Sequence, residues 1–114
     1  MPECEFCKYR FHKELKGKTT IITLIETKTR KEMGYVIFEI KSEYIELEYI
    51  VANERKKGFG SKLVRVVKAI AKGVNKPIYI DAFNNAVGFW ENHNFMVLGE
   101  SGSYSELVRM GWKP

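Results

Sequence analysis

Between Arg55 and Ser61 the chain reads Arg-Lys-Lys-Gly-Phe-Gly-Ser, with three cations ahead of two closely spaced glycines. Glycine lets a backbone approach a ligand closely and adopt positive φ. The start of a helix presents unpaired N–H groups and a partial positive charge. A loop of this composition that opens a helix can cradle a phosphate or pyrophosphate, with Arg55, Lys56 and Lys57 adding charge beside it. It is not a Walker loop, because Gly60 is followed by Ser61-Lys62 rather than by Lys-Ser or Lys-Thr. It also lacks the three spaced glycines of a dinucleotide fingerprint. The plain alternative is a basic turn whose glycines serve tight packing.

A second chemical candidate is Cys4-x-x-Cys7 with His12. Tetrahedral zinc takes four ligands, normally as two tight pairs, and only one pair is present. A redox pair would open a helix after a strand, and no strand is expected ahead of Cys4. Two free thiols near the terminus are the simpler reading, so no metal is expected.

The elements around the loop follow from periodicity. Thr19 to Glu26, Met33 to Ile40 and Tyr44 to Val51 read as three strands joined by short polar gaps, an antiparallel meander. After the loop, Leu63, Val66, Val67, Ile70, Ala71 and Val74 recur at helical spacing, with Lys62, Arg65, Lys68 and Lys72 opposite and Gly73 as the expected stop. Pro77 to Ala82 reads as a buried strand. Asn84 or Asn85 is expected to cap a second helix through about His93, ended by a left-handed Asn94. Phe95 to Leu98 and Tyr104 to Trp112 close the order βββαβαββ. This is an α+β domain with a mixed, mostly antiparallel sheet and two principal helices, not a doubly wound fold.

The loop and a later segment together carry a resemblance. Arg-x-x-Gly-x-Gly between a strand and an amphipathic helix is similar to the coenzyme A pyrophosphate loop of the GNAT acyltransferase superfamily. Asn84-Asn85-Ala86-Val87-Gly88-Phe89-Trp90-Glu91 through Asn94-Phe95 resembles that family's later motif. The resemblance runs from Thr19 to Trp112. It implies an acyl-CoA N-acyltransferase domain over 19–114, preceded by a short 1–18 extension that holds the cysteines. It also implies acetyl-CoA as co-substrate, its arm lying between the third strand and the strand of Pro77 to Ala82. Ile50, Val51 and Ala52 would bond that arm through their backbone. Lys57, Gly58, Phe59, Gly60 and Ser61 would hold the pyrophosphate, with Arg55 and Lys56 nearby. Asn84, Asn85, Phe89 and Trp90 would flank the arm.

Three departures from the family pattern bear on mechanism. Trp90 stands where many members carry a tyrosine proposed to protonate the leaving thiolate, and an indole N–H has no useful acidity. Tyr79 and Tyr104 are the other phenols in view. Asn94 replaces a glycine. The family's usual strand and two helices ahead of Thr19 have little chain to form from, so the resemblance implies an acceptor side that is open to a protein or large substrate, completed by a second subunit, or lost along with activity. Strand alternation puts Tyr44, Glu46, Glu48 and Ile50 on one face. Family members often carry a catalytic glutamate on this strand, so Glu46 and Glu48 are the candidate bases; the bland reading is a solvated face.

Composition bounds the rest. The 114 residues are 45% hydrophobic and 13% aromatic, enough for one core. No run of about 18 apolar residues and no signal-peptide stretch occurs, so a cytoplasmic protein without membrane association is expected. The net charge of +5 attracts anions without choosing among them. Rival readings are a catalytically weak CoA-binding module and a small basic nucleic-acid-binding protein, the latter drawn from Phe6, Tyr9 and Phe11 among basic residues. The acceptor is an unidentified amine, on a small molecule or a protein. The Ile/Val/Tyr-rich strands suggest a homodimer.

Overall fold

The structure is a computed structural model and describes residues 8–53, 58–100 and 106–114. The cysteine pair, Arg55, Lys56, Lys57 and Tyr104 lie outside the described residues.

The sheet begins earlier than patterning indicates. β1 (Tyr9–Lys16) pairs antiparallel along its whole length with β2 (Thr19–Glu26), through a turn at Gly17 and Lys18 with Gly17 at φ +61°. Every residue of β1 after Tyr9 is exposed. An edge strand with so little apolar burial has no hydrophobic alternation to read. No helix separates β1 from β2, so the missing helical wall is a real feature of the described chain. β3 (Glu32–Ile40) and β4 (Ile45–Ala52) complete the expected meander.

α1 (Phe59–Val74) buries Phe59, Leu63, Val64, Val67 and Ala71 against β2, β3 and β4. It runs past the expected stop at Gly73. Asn75 ends it instead, in the left-handed conformation at φ 55°, donating its N–H to the carbonyls of Ala71 and Lys72. β5 (Ile78–Phe83) follows. Asn84–Ala86 form one 3₁₀ turn, then α2 spans Val87–Asn92. Neither Asn84 nor Asn85 caps α2: its N-cap is Ala86, with no side-chain bond. The 3₁₀ turn takes up the residues that would have begun the helix. Asn94 is left-handed as expected, at φ 66°.

β6 (Met96–Glu100) and β7 (Leu107–Trp112) finish a seven-stranded sheet of order β1-β2-β3-β4-β5-β7-β6. Among the described strands, only β4 and β5 are parallel. From Thr19 onward the order is the βββαβαββ expected. Phe38, Leu47, Leu63 and Trp90 belong to one buried cluster, which places both helices on the same face of the sheet. Neither helix covers the other face, which carries Ile37, Glu46, Tyr79 and Arg109.

Candidate active site

β4 and β5 pair only through Ile45, Glu46 and Leu47 against Ile78, Tyr79 and Ile80. Beyond Leu47 they part. From Glu48 to Ala52, β4 keeps β3 on one edge and, among the described residues, has no strand on the other. The peptide groups of that free edge need partners from solvent or a ligand. Asn53 pins the end of the strand: its N–H donates to the Met33 carbonyl at 2.9 Å and its amide to the Glu32 carbonyl. The wedge therefore has a fixed wall made by Ile50, Val51 and Ala52.

A bulge at the mouth of the wedge corrects one sequence expectation. Ile37 pairs with Tyr49 and Phe38 with Leu47, leaving Glu48 as the extra residue. A bulge reverses the alternation that follows it. Ile50 and Ala52 consequently pack toward the helices with the core, and Ile50 does not share the face of Glu46. Glu48 stands exposed where the strands separate and is in no ion pair among the described residues.

Glu46 has a different situation. Arg109 donates from Nη2 to its Oε1 at 2.8 Å and from Nη1 to its Oε2 at 2.9 Å, and Nη1 also donates to Asp81 Oδ1 at 3.0 Å. The guanidinium lies 5.4 Å from the Tyr79 ring centroid, and Tyr79 lies 5.3 Å from Tyr44. The hydrogen bond to Glu46, the largest influence, holds Arg109 further above its ordinary value; burial opposes it, and the hydrogen bond to Asp81 and the two carboxylate charges add to it. With both carboxylate oxygens taken by one fork, Glu46 cannot accept a proton without giving up a charge-assisted bond. It anchors β4 to β7. Arg109→Met is expected to lower the unfolding free energy in urea by about 1–3 kcal/mol, with part recovered in the Arg109→Met/Glu46→Gln double variant. A loss below a few tenths of a kcal/mol would remove the anchoring role.

At the head of α1, Gly58 is the N-cap at φ +78°, with nothing within 4 Å of where a Cβ would stand. The conformation, not space, calls for glycine there. Gly60 is different: a Cβ would meet the Phe89 ring at 3.3 Å, so this glycine seats α2 against α1. Ser61 Oγ lies 3.0 Å from His93 Nε2, and Lys68 Nζ donates to the His93 carbonyl. Burial, with Lys68 and Arg65 nearby, pushes His93 below its ordinary value and favours the neutral ring. Trp90 is 2% exposed, its ring 5.1 Å from Phe89 and 5.0 Å from Phe95. It is a packing residue under the site. Asn84 and Asn85 are exposed at the end of β5.

No protein-family model matches the sequence, and no curated protein does. Solved structures do match the fold. Escherichia coli ElaA superposes with a TM-score of 0.71 at 16% identity, over 87% of this chain and 71% of that one. PaiA N-acetyltransferase from Thermoplasma acidophilum, in complex with coenzyme A, gives 0.69 at 17%, over 85% and 62%. Tetrahymena GCN5 gives 0.70 at 19%, over 86% and 69%. The fold is that of the GNAT acetyltransferases. Within the GNAT fold, the strands that part here are the two the resemblance singled out, and the glycine-headed helix follows the first of them.

The structure thus gathers Ile50, Val51, Ala52, Gly58, Gly60, Ser61 and Phe89 around the wedge and the start of α1. It separates Glu46 from Glu48 by their partners. Sequence reading did not single out Arg109, Asp81 or the Ser61–His93 contact. Asp81 and Arg109 are directly opposite on β5 and β7, a pairing 28 residues apart that no local pattern announces.

Proposed function

We propose that the chain is an N-acetyltransferase that moves an acetyl group from acetyl-CoA to an amine. The observation carrying this reading is the wedge between β4 and β5, adjoining a helix headed by a left-handed glycine within a GNAT fold. The first-turn amides of α1, at Phe59, Gly60 and Ser61, have no intrahelical acceptors and suit a pyrophosphate. Arg55, Lys56 and Lys57 precede them in sequence and add charge. The free edge of β4 supplies peptide groups to an extended pantetheine arm, as a missing strand would.

The amine attacks the thioester carbonyl as the neutral base. A C–N bond forms, the C–S bond breaks, and the coenzyme leaves as its thiolate. Peptide N–H groups on the open edge of β4 bear on the transient oxyanion. Holding amine and thioester together supplies much of the rate. The nitrogen's surplus proton passes to Glu48, directly or through one water, and on to solvent. Thiols have a pKa of about 8.5, so the thiolate departs without an acid and is protonated by solvent. That is consistent with a tryptophan buried at position 90.

The test is thiol release from acetyl-CoA in the presence of a polyamine, a lysine peptide or a peptide with a free amino terminus. Amine-dependent release with at least one supports the reading. Binding of acetyl-CoA with no release above hydrolysis assigns the chain instead as a CoA-binding module, the second reading that Trp90 favours.

A further inference from the structure

Lys8, Tyr9 and Phe11, which acetyl transfer does not use, line one groove together with residues of α1. Strand alternation divides β1: Tyr9 and Phe11 turn to the helix side, Arg10 and His12 to the other. Tyr9 packs edge-on against Phe59 with centroids 5.3 Å apart. Between β1 and the flank of α1 lies a cavity of about 570 Å³. Its floor is Leu24, Val66 and Ala69, and the rings of Tyr9 and Phe11 form one wall. Lys8, Lys62 and Arg65 complete its lining.

The charged side chains lining it are all cationic. The ion pairs among the described residues belong to Arg109, so none of these three cations has a carboxylate partner among the described residues. The carboxylate opposite Tyr9 is Glu26, whose Oε1 accepts from Thr29 Oγ1 at 2.6 Å. Lys62 Nζ sits 5.9 Å from the Tyr9 ring centroid. Phe11 is 45% exposed, a large ring held at the surface with one side unpacked. Lys62, Arg65, Ala69 and Lys72 fall along one stripe of α1. At about 1.5 Å per residue the stripe is about 15 Å long, the reach of two or three nucleotides.

A cationic trough with an exposed aromatic platform is the arrangement that binds unpaired nucleotides: phosphates track the charge and bases stack on the ring. We propose that this groove binds single-stranded nucleic acid, with a base on Phe11 and phosphates on Lys8, Lys62 and Arg65. The groove lies on the β1 side of α1 and the β4–β5 wedge on the β4 side, and the two adjoin at Phe59, which Tyr9 touches.

The experiment is fluorescence anisotropy of a labelled single-stranded ten-mer titrated with the intact protein at several salt concentrations. Three phosphate contacts give a slope of log affinity on log salt of about −2. Phe11→Ala should weaken binding about tenfold at unchanged slope. Lys62→Glu/Arg65→Glu should weaken it more and flatten the slope by about one unit or more. Lys41→Glu/Lys113→Glu, an equal change of charge at the opposite end of the sheet, should have a much smaller effect. Absence of binding at low salt overturns the proposal. Equal loss in the two double variants overturns it in favour of diffuse charge attraction. Duplex binding as tight as single-strand binding, or stoichiometric displacement by acetyl-CoA, also overturns it, the last by making the groove part of the donor site.

Discussion

Glu48→Gln should lower kcat by about 10²- to 10⁴-fold, the usual worth of a positioned general base, and leave acetyl-CoA affinity nearly unchanged. The expectation rests on the contrast between the two glutamates of β4. Glu46 is held by the Arg109 fork with both oxygens engaged. Glu48 is the extra residue of the bulge, exposed beside the wedge and outside any ion pair among the described residues. Glutamine keeps the size and hydrogen bonding of the side chain but cannot take the proton. Glu46→Gln should act first on stability, because it weakens the bond between β4 and β7. If Glu48→Gln turns over at the wild-type rate, the base is a water or another group, and the mechanism loses its proton acceptor.

The largest expected effect on stability is at Gly34, opposite Ala52 in the β3–β4 ladder. A Cβ there would stand 2.5 Å from the Val51 carbonyl oxygen, 3.2 Å from the Ala52 Cα and 3.3 Å from Leu63 Cδ1. Two of these neighbours are backbone and cannot rotate away. Gly34→Ala is therefore expected to cost about 2–3 kcal/mol or more, since overpacking must move the strand itself. Because Val51 and Ala52 form the wall of the wedge, donor affinity should fall with it. Gly73→Ala is the counterpart: nothing lies within 4 Å of its Cβ position near the end of α1, so it should stabilise by about 0.5–1 kcal/mol. Urea unfolding of both variants tests the pair. A Gly34→Ala protein as stable as wild type would mean that the strands adjust freely at this point.

Much of this architecture was legible because it rests on local signals. α1 follows from apolar period, the meander from strand-forming runs with short polar gaps, the buried strand expected at Pro77 to Ala82 and found at Ile78–Phe83 from a short apolar run, and the left-handed Asn94 from residue type. β1 was not legible, because an exposed edge strand is held by ladder bonds rather than by apolar burial. The bulge at Glu48 was not legible either. Glu46, Glu48 and Ile50 alternate without interruption in the sequence, and only the register of β3 against β4 moves Ile50 to the other face. The expected stop is Gly73, but α1 continues to Val74 and ends at a left-handed Asn75. The glycine loop was legible as a loop, but its two glycines act differently. Gly58 provides a backbone conformation, and Gly60 makes room for Phe89. Arg109 joins elements distant in the chain, so it emerges only once β5 and β7 are paired.

The central claim is that the start of α1 and the neighbouring wedge bind the acyl donor. Calorimetric titration of acetyl-CoA into wild type, Gly58→Ala and Gly58→Glu tests it most directly. Both variants bear the strain of a side chain at φ +78°, and only the second places a carboxylate where the pyrophosphate is expected. The account predicts micromolar binding by wild type, a modest weakening in Gly58→Ala and no detectable heat in Gly58→Glu. Wild type that does not bind, or Gly58→Glu that binds as wild type does, would contradict it.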